Sequence, residues 1–151
     1  VSVKIRAADL HDLDAALALE RACYQAPQAY GAEEYRYALG RAKAVNLLAE
    51  DERGVAGFVG AFHHAIWRAG HVYTVNVHPS RRGTGLGRAL MQACEDELRK
   101  LGMTRVVLEV NVDNVEAIRL YERGGYTRVR RLPDYYTTYA NNDAWLYEKP
   151  L

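Results

Sequence analysis

The sequence predicts one mixed-sheet α/β domain over residues 1–151, and three observations carry that reading. Apolar residues alternate with polar ones in some stretches and recur at helical spacing in others. Two tight turns in succession join apolar runs in the first half, which demands antiparallel pairing, since a parallel connection needs about a dozen residues. A strand, a strongly helical stretch and a β-branched run then follow one another, which makes a crossover with a locally parallel or splayed pair.

The elements follow in order. Val1–Arg6 alternates and predicts a short strand. Asp9 can cap a helix whose apolar positions run from Leu10 through Leu13, Ala16, Leu17 and Leu19 to about Cys23. Pro27–Gly31 breaks the chain, and a second amphipathic stretch, Glu33–Leu39, stops at Gly40. Ala44–Ala49, the turn Asp51–Gly54 and Val55–Ile66 read as a hairpin, with a further turn at Ala69–Gly70 before the strand His71–Val77. From Gly85 to Leu101 one helix face carries Leu86, Leu90, Ala93, Cys94 and Leu98, and Gly102 ends it. Arg105–Val112 is a strand. Asn114 caps a helix that stops at Gly124–Gly125, and Tyr126–Leu132 and Ala144–Glu148 close the chain as strands.

Composition narrows the function classes. Hydrophobic residues make up 49% and charged residues 26%, and a net charge of +1 gives no whole-molecule pull towards nucleic acid or membrane. Cys23 and Cys94 match no metal or redox spacing and read as reduced thiols. His63 and His64 are adjacent, so on a strand they point to opposite faces and cannot share an ion; no metal site is expected. No apolar run reaches the roughly 18 residues of a membrane span and no signal pattern is visible, so the expected compartment is the cytoplasm.

The most informative stretch is His78–Leu90, where Gly83, Gly85 and Gly87 alternate as a strand gives way to a helix. Backbone without Cβ can approach a ligand closely, and successive N–H groups at a helix start suit phosphate oxygens. Arg82 and Arg88 add charge at the rim. A Walker A loop would need a lysine, and none occurs between Lys43 and Lys100. A dinucleotide fingerprint would need a small residue where Leu90 stands, and would not follow an antiparallel hairpin.

Arg82-Gly83-Thr84-Gly85-Leu86-Gly87 resembles the loop by which GNAT acetyltransferases hold the pyrophosphate of coenzyme A. Val75-Asn76-Val77 looks like that family's fourth strand, which runs along the pantetheine arm. Asn114-x-x-Ala117-x-x-Leu120-Tyr121-x-x-x-Gly125-Tyr126 is similar to its second signature, in the usual order and separation. The resemblance covers the whole chain. It implies the GNAT fold, acetyl-CoA as co-substrate, and transfer of acetyl to a primary amine in a monomer or homodimer.

Such transfer needs a base, an oxyanion site and an acid. Glu109 interrupts Val106–Val110, which reads as a strand buried on both faces; burial there should raise its pKa towards neutrality, as a base requires. The resemblance also makes it the base of the RimI-type, ribosomal-protein alanine acetyltransferase branch. Tyr121 fits the core stripe of its helix by spacing, whereas the resemblance makes it the acid. A backbone N–H near Asn76 or Val77 would take the oxyanion, and Asn76 marks a possible bulge. Asn114 reads as a helix cap by spacing and as a pantetheine neighbour by resemblance.

The tail resembles the same branch, whose last hairpin carries a Tyr-Tyr pair and then Asp-Ala. Here Tyr135, Tyr136 and Tyr139 precede Asp143-Ala144, and the rings could close over a peptide or simply cover the sheet end. On the other wall Ala26-Pro27-Gln-Ala-Tyr30 keeps the branch's proline and lacks its tryptophan, leaving Tyr30 as the candidate acceptor contact. The expected acceptor is a protein N-terminus. The alternatives are a small amine, such as a polyamine, amino acid or antibiotic, and a non-catalytic acyl-CoA sensor.

Overall fold

The computed structural model describes residues 2–151. Its elements are β1 (Lys4–Ala7), α1 (Leu13–Cys23), α2 (Ala32–Leu39), β2 (Ala44–Asp51), β3 (Gly54–His64), β4 (Ala69–Val77), α3 (Leu86–Lys100), β5 (Arg105–Asn111), α4 (Val115–Arg123), β6 (Thr127–Leu132) and β7 (Ala144–Pro150). The order matches the sequence reading element for element. The first strand begins at Lys4; Val1 lies outside the described residues. Asp9 caps a short 3₁₀ turn, Leu10–Asp12, that leads into α1.

All seven strands form one sheet in the order β1-β2-β3-β4-β5-β7-β6. Every neighbouring pair is antiparallel except β4 and β5, which are parallel. Alternation along the strands divides the apolar side chains between two layers. Leu47, Val59, Val72, Val106 and Leu108 meet Leu90, Cys94 and Leu98 of α3 and Tyr121 of α4 on one face. Leu48 and Phe58 meet Ala16, Leu17 and Leu19 of α1 and Tyr35 and Leu39 of α2 on the other. Leu48 and Phe58 are fully buried, and each such side chain contributes about 1.5–3 kcal/mol. Glu95 of α3 is buried but satisfied, accepting from Lys149 Nζ at 2.8 Å and Tyr126 Oη at 2.7 Å, which ties α3 to the C-terminal strands.

The turn between β3 and β4 departs from expectation. Ala69 and Gly70 belong to β4 and pair with Arg105 and Val106, while the chain reverses before them, with Arg68 at a φ of 50°. Gly70 is used for packing: a Cβ there would stand 2.5 Å from Leu98 Cδ1. At the far edge β6 is exposed along nearly its whole length. Its Arg128 and Arg131 lie over the Trp145 ring at 4.1 and 5.3 Å, within cation–π reach. Among the described residues no helix is long and apolar enough to cross a membrane.

Candidate active site

The site is where β4 and β5 part. Their ladder covers only Ala69–His71 against Arg105–Val107. Beyond it, among the described residues, β4 has no strand partner on the β5 side, and a cleft opens. A bulge re-aims β4 at the same place. Gly60 pairs with Thr74 and Ala61 with Val72, so Tyr73 is the extra residue. Past it, Val75 and Val77 pack on the α3 layer, while Asn76 turns to α1. The bulge is therefore at Tyr73 and not at Asn76. Gly60 permits it, because a Cβ there would lie 2.2 Å from the Tyr73 ring. Asn76 stands out in the sequence for a different reason. Its side chain is buried and donates to Glu20 Oε1 at 2.8 Å and to Tyr35 Oη at 3.2 Å.

One arm of the cleft is a cavity of about 660 Å³ lined by Val75, Asn76, Val77, Arg82, Gly83, Gly85, Leu86, Gly87, Arg88 and Asn114. Gly83 and Gly85 have φ of +77° and +86°, a left-handed conformation that costs an L-residue about 1–2 kcal/mol. A Cβ at either would meet nothing within 4 Å, so their surfaces are open. Gly85 is also the N-cap of α3, and no side chain caps the first N–H groups of that helix. Open, uncapped N–H groups beside arginines form a fitting cradle for a pyrophosphate. Gly87 has a packing role, its Cα side facing Leu120 at 3.3 Å from an ideal Cβ. Thr84 points back, donating to the Arg81 carbonyl at 2.6 Å.

The neighbouring arginines divide their work. Arg81 is buried and holds Asp51 of β2 through two hydrogen bonds, at 2.9 and 2.5 Å, which fixes the loop to the β2–β3 hairpin. That guanidinium lowers the Asp51 carboxyl to about 2. Arg82 turns to the cleft, its Nε 3.4 Å from the Val77 carbonyl. Arg88 donates to the Arg123 carbonyl at the end of α4, at 2.8 Å. Asn114 is a helix cap, accepting from the Ala117 N–H at 3.2 Å, and it also lines the cleft.

The second arm is a cavity of about 260 Å³ on the α1–α2 side, and it shares Tyr24, Val75, Asn114 and Ala117 with the first. Glu109, Tyr121, Tyr30, Tyr136 and Tyr139 all line it. Tyr136 stacks edge-on between Tyr135 and Tyr139, with ring centroids 4.9 Å apart on each side. Tyr135 lies outside the lining but is close enough to Glu109 to influence its titration.

Glu109 differs from expectation in two respects. β5 is not buried on both faces: Val106, Leu108 and Val110 point into the α3 layer, while Arg105, Val107 and Glu109 share a half-buried face. Glu109 is also paired, with His71 Nε2 2.6 Å from Oε1. Burial pushes its carboxyl up, but the His71 hydrogen bond and charge, helped by the Tyr135 hydroxyl, outweigh it, so the group sits below its ordinary value.

Tyr121 occupies the core position that its helical spacing predicts. It packs in the main core, edge-on to Tyr126 at 5.9 Å, and lines the second cavity. Among the described residues its hydroxyl has no hydrogen-bond partner, and every fully buried polar side-chain atom does have one, so this hydroxyl is open to the cavity. Burial raises its pKa, and the phenol keeps its proton.

Sequence reasoning missed His71, Tyr24 and Glu20. His71 carried the same signal as Glu109, a titratable side chain in an apolar strand, and only the β4–β5 register brings the two together. Tyr24 and Glu20 lie at the end of α1 at helical spacing from Leu17, on its apolar face, so the acidic Glu20 within that buried stripe was the signal available. Among the described residues no group of three or more His, Cys, Asp or Glu could hold a metal ion.

Comparison with known proteins bears on the family and the fold. The profile of the acetyltransferase (GNAT) family matches residues 13–126. A mycothiol acetyltransferase of Thermobispora bispora is 52% identical over 59 residues, which cover 39% of this chain and 20% of that protein. The matched segment spans about a fifth of the length of such curated relatives. Among solved structures, the Escherichia coli ribosomal-protein-S18-alanine N-acetyltransferase superposes with a TM-score of 0.88 at 26% identity, over 99% of this chain and 94% of that one. Arabidopsis thaliana NAA60 in complex with acetyl-CoA superposes at 0.86 and 22% identity, over 99% of each chain, a likeness of fold.

Proposed function

The chain belongs to the acetyltransferase (GNAT) family, and on that premise we propose that it transfers acetyl from acetyl-CoA to the N-terminal α-amine of a protein or peptide. The observation that carries this reading is the junction of the two cavities. A pyrophosphate cradle and a carboxylate-bearing cavity meet at Tyr24, Val75, Asn114 and Ala117, so a thioester reaching in from one side would meet an amine entering from the other.

In this reading Glu109 accepts a proton from the acceptor's ammonium, leaving a neutral amine to attack the thioester carbonyl. The β4 main chain near Val77, which has no strand partner on the β5 side, would offer an N–H to the oxygen on which charge develops. Tyr121 donates its proton to the sulfur as the C–S bond breaks, a role that its unbonded, protonated hydroxyl suits, and the second proton shed by the nitrogen as the amide forms restores the phenol.

A peptide acceptor is supported by the tyrosines. Tyr30, Tyr136 and Tyr139 all line the cavity, giving flat surfaces and hydroxyls on which an extended segment could lie. The similar Escherichia coli enzyme is named for an alanine of ribosomal protein S18. A second reading, a small-molecule amine, is favoured by the relatives named mycothiol acetyltransferase.

The test is thiol release from acetyl-CoA against alanine- and serine-initiated peptides, free amino acids and polyamines. Release with a peptide is expected. Release only with a small amine would keep the chemistry and replace the acceptor. Tight acetyl-CoA binding with no release on any acceptor would replace the enzyme with a sensor.

A further inference from the structure

We propose that His71 is a positioning residue that makes the base a two-residue unit: it holds Glu109 by Oε1 and leaves the other carboxylate oxygen to the acceptor amine. The proposal rests on the reading of Glu109 as the base. Its first support is placement. The β4–β5 ladder ends at His71 opposite Val107, and the His71–Glu109 hydrogen bond, 2.6 Å long, joins the strands at the point where they part. The side chain that would act on the amine is thus fixed to the strand along which the thioester would lie.

Its second support is the order of the two groups. Glu109 lines the acceptor cavity and His71 does not. The His71 side chain is 33% exposed and that of Glu109 16%. His71 therefore flanks the carboxylate from outside the cavity lining, where it touches Glu109 and leaves the cavity to it.

The third is charge. From the connection between α1 and α2, Tyr30 faces Glu109, and from the loop between β6 and β7 so do Tyr135 and Tyr136. Two acidic groups also line the cavity, but each is engaged elsewhere. Glu20 accepts from Asn76, Tyr35 and the Tyr30 N–H, and Glu34 accepts from the Gly31 N–H. Arg105 shares the face of β5 but turns to Glu148 at 3.5 Å. Among these neighbours His71 is the one group able to place positive charge on the carboxylate. Without it, a half-buried Glu109 would hold its proton to higher pH and be a poorer acceptor over the lower part of the working range.

The experiment follows the Glu109 δ-carboxyl by carbon-13 NMR in the full chain, for the wild type, His71→Gln and His71→Leu. It is paired with the pH dependence of kcat/KM for acetyl-CoA and an alanine-initiated peptide, or spermidine if only small amines turn over. Loss of the imidazole in His71→Leu should raise the carboxyl titration by about one unit, with the acid limb of kcat/KM moving alongside it. His71→Gln keeps a donor without the charge and should fall between. Affinity for acetyl-CoA, measured by calorimetry, should stay within about twofold. A carboxyl titration and acid limb that do not move in either variant would overturn the proposal, even if turnover drops. Should His71→Leu fail to fold, His71→Gln carries the test. Glu109→Gln separates the two claims: full turnover in it removes the base itself, whereas an inactive Glu109→Gln with an unmoved His71 series removes only the role of His71.

Discussion

The two arms of the cleft are built by different means. The larger is built chiefly on one continuous stretch, Val75 to Arg88, closed by the end of α1 and by α4, with glycines at positive φ and an uncapped helix start in place of side-chain donors. The smaller is made of side chains from α1, the segment after it, β4, β5, α4 and the loop before β7. A main-chain site depends on local conformation, so it is written in adjacent residues. A side-chain site depends on register and packing across the whole sheet.

Four changes test how separate the arms are. The largest effect is expected from Glu109→Gln, which should lower turnover by about 10²–10⁴-fold while the acetyl-CoA dissociation constant stays within about twofold. A large change in both quantities would show that the arms are coupled. Tyr121→Phe should lower kcat by about 10²-fold, the lower end for a general acid, and leave the thermal midpoint in place because its hydroxyl has no partner to lose. A fallen midpoint with unchanged kcat would return Tyr121 to the core alone.

Gly85→Ala should act on the other arm only. Its φ of +86° makes any side chain there cost about 1–2 kcal/mol, and a loop that relaxes to avoid the strain should weaken acetyl-CoA binding about tenfold. Turnover at saturating acetyl-CoA should be preserved; a matching loss of kcat would break the comparison. The smallest effect concerns the anchor beneath that loop. The Asp51 carboxyl is lowered to about 2, so its pairing with Arg81 stabilises the fold fully above the ordinary aspartate range and loses that contribution as pH falls through about 2. Thermal midpoints of the wild type should therefore fall more steeply with acid than those of Asp51→Asn. Parallel curves for the two would show that the pair contributes nothing to stability.

The same contrast governs what the sequence disclosed. The order of strands and helices was legible, because each element carries its own period and its own stop, as Gly40, Gly102 and Gly124 show. The glycine loop was legible for the reason given above. Glu109 was legible as an oddity but misjudged in its environment, since only pairing shows that β5 has one half-buried face and that His71 lies across from it. Asn76 drew the eye as a polar residue in an apolar strand, yet the irregularity was three residues earlier, where Gly60 admits the Tyr73 ring. Gly70 read as a turn residue because glycine turns and glycine packing look alike until Leu98 is placed beside it.

The arginine-bearing edge of the sheet has a consequence for how copies of the chain can meet. β6 leaves one side of its backbone unpaired, a surface that in principle recruits another strand. Arg128, Arg130 and Arg131 lie along it, with two of the guanidinium groups braced on Trp145. Two such edges approaching one another would bring like charges together along their length before any ladder could form. Growth of the sheet from one molecule into the next is thereby discouraged at this border.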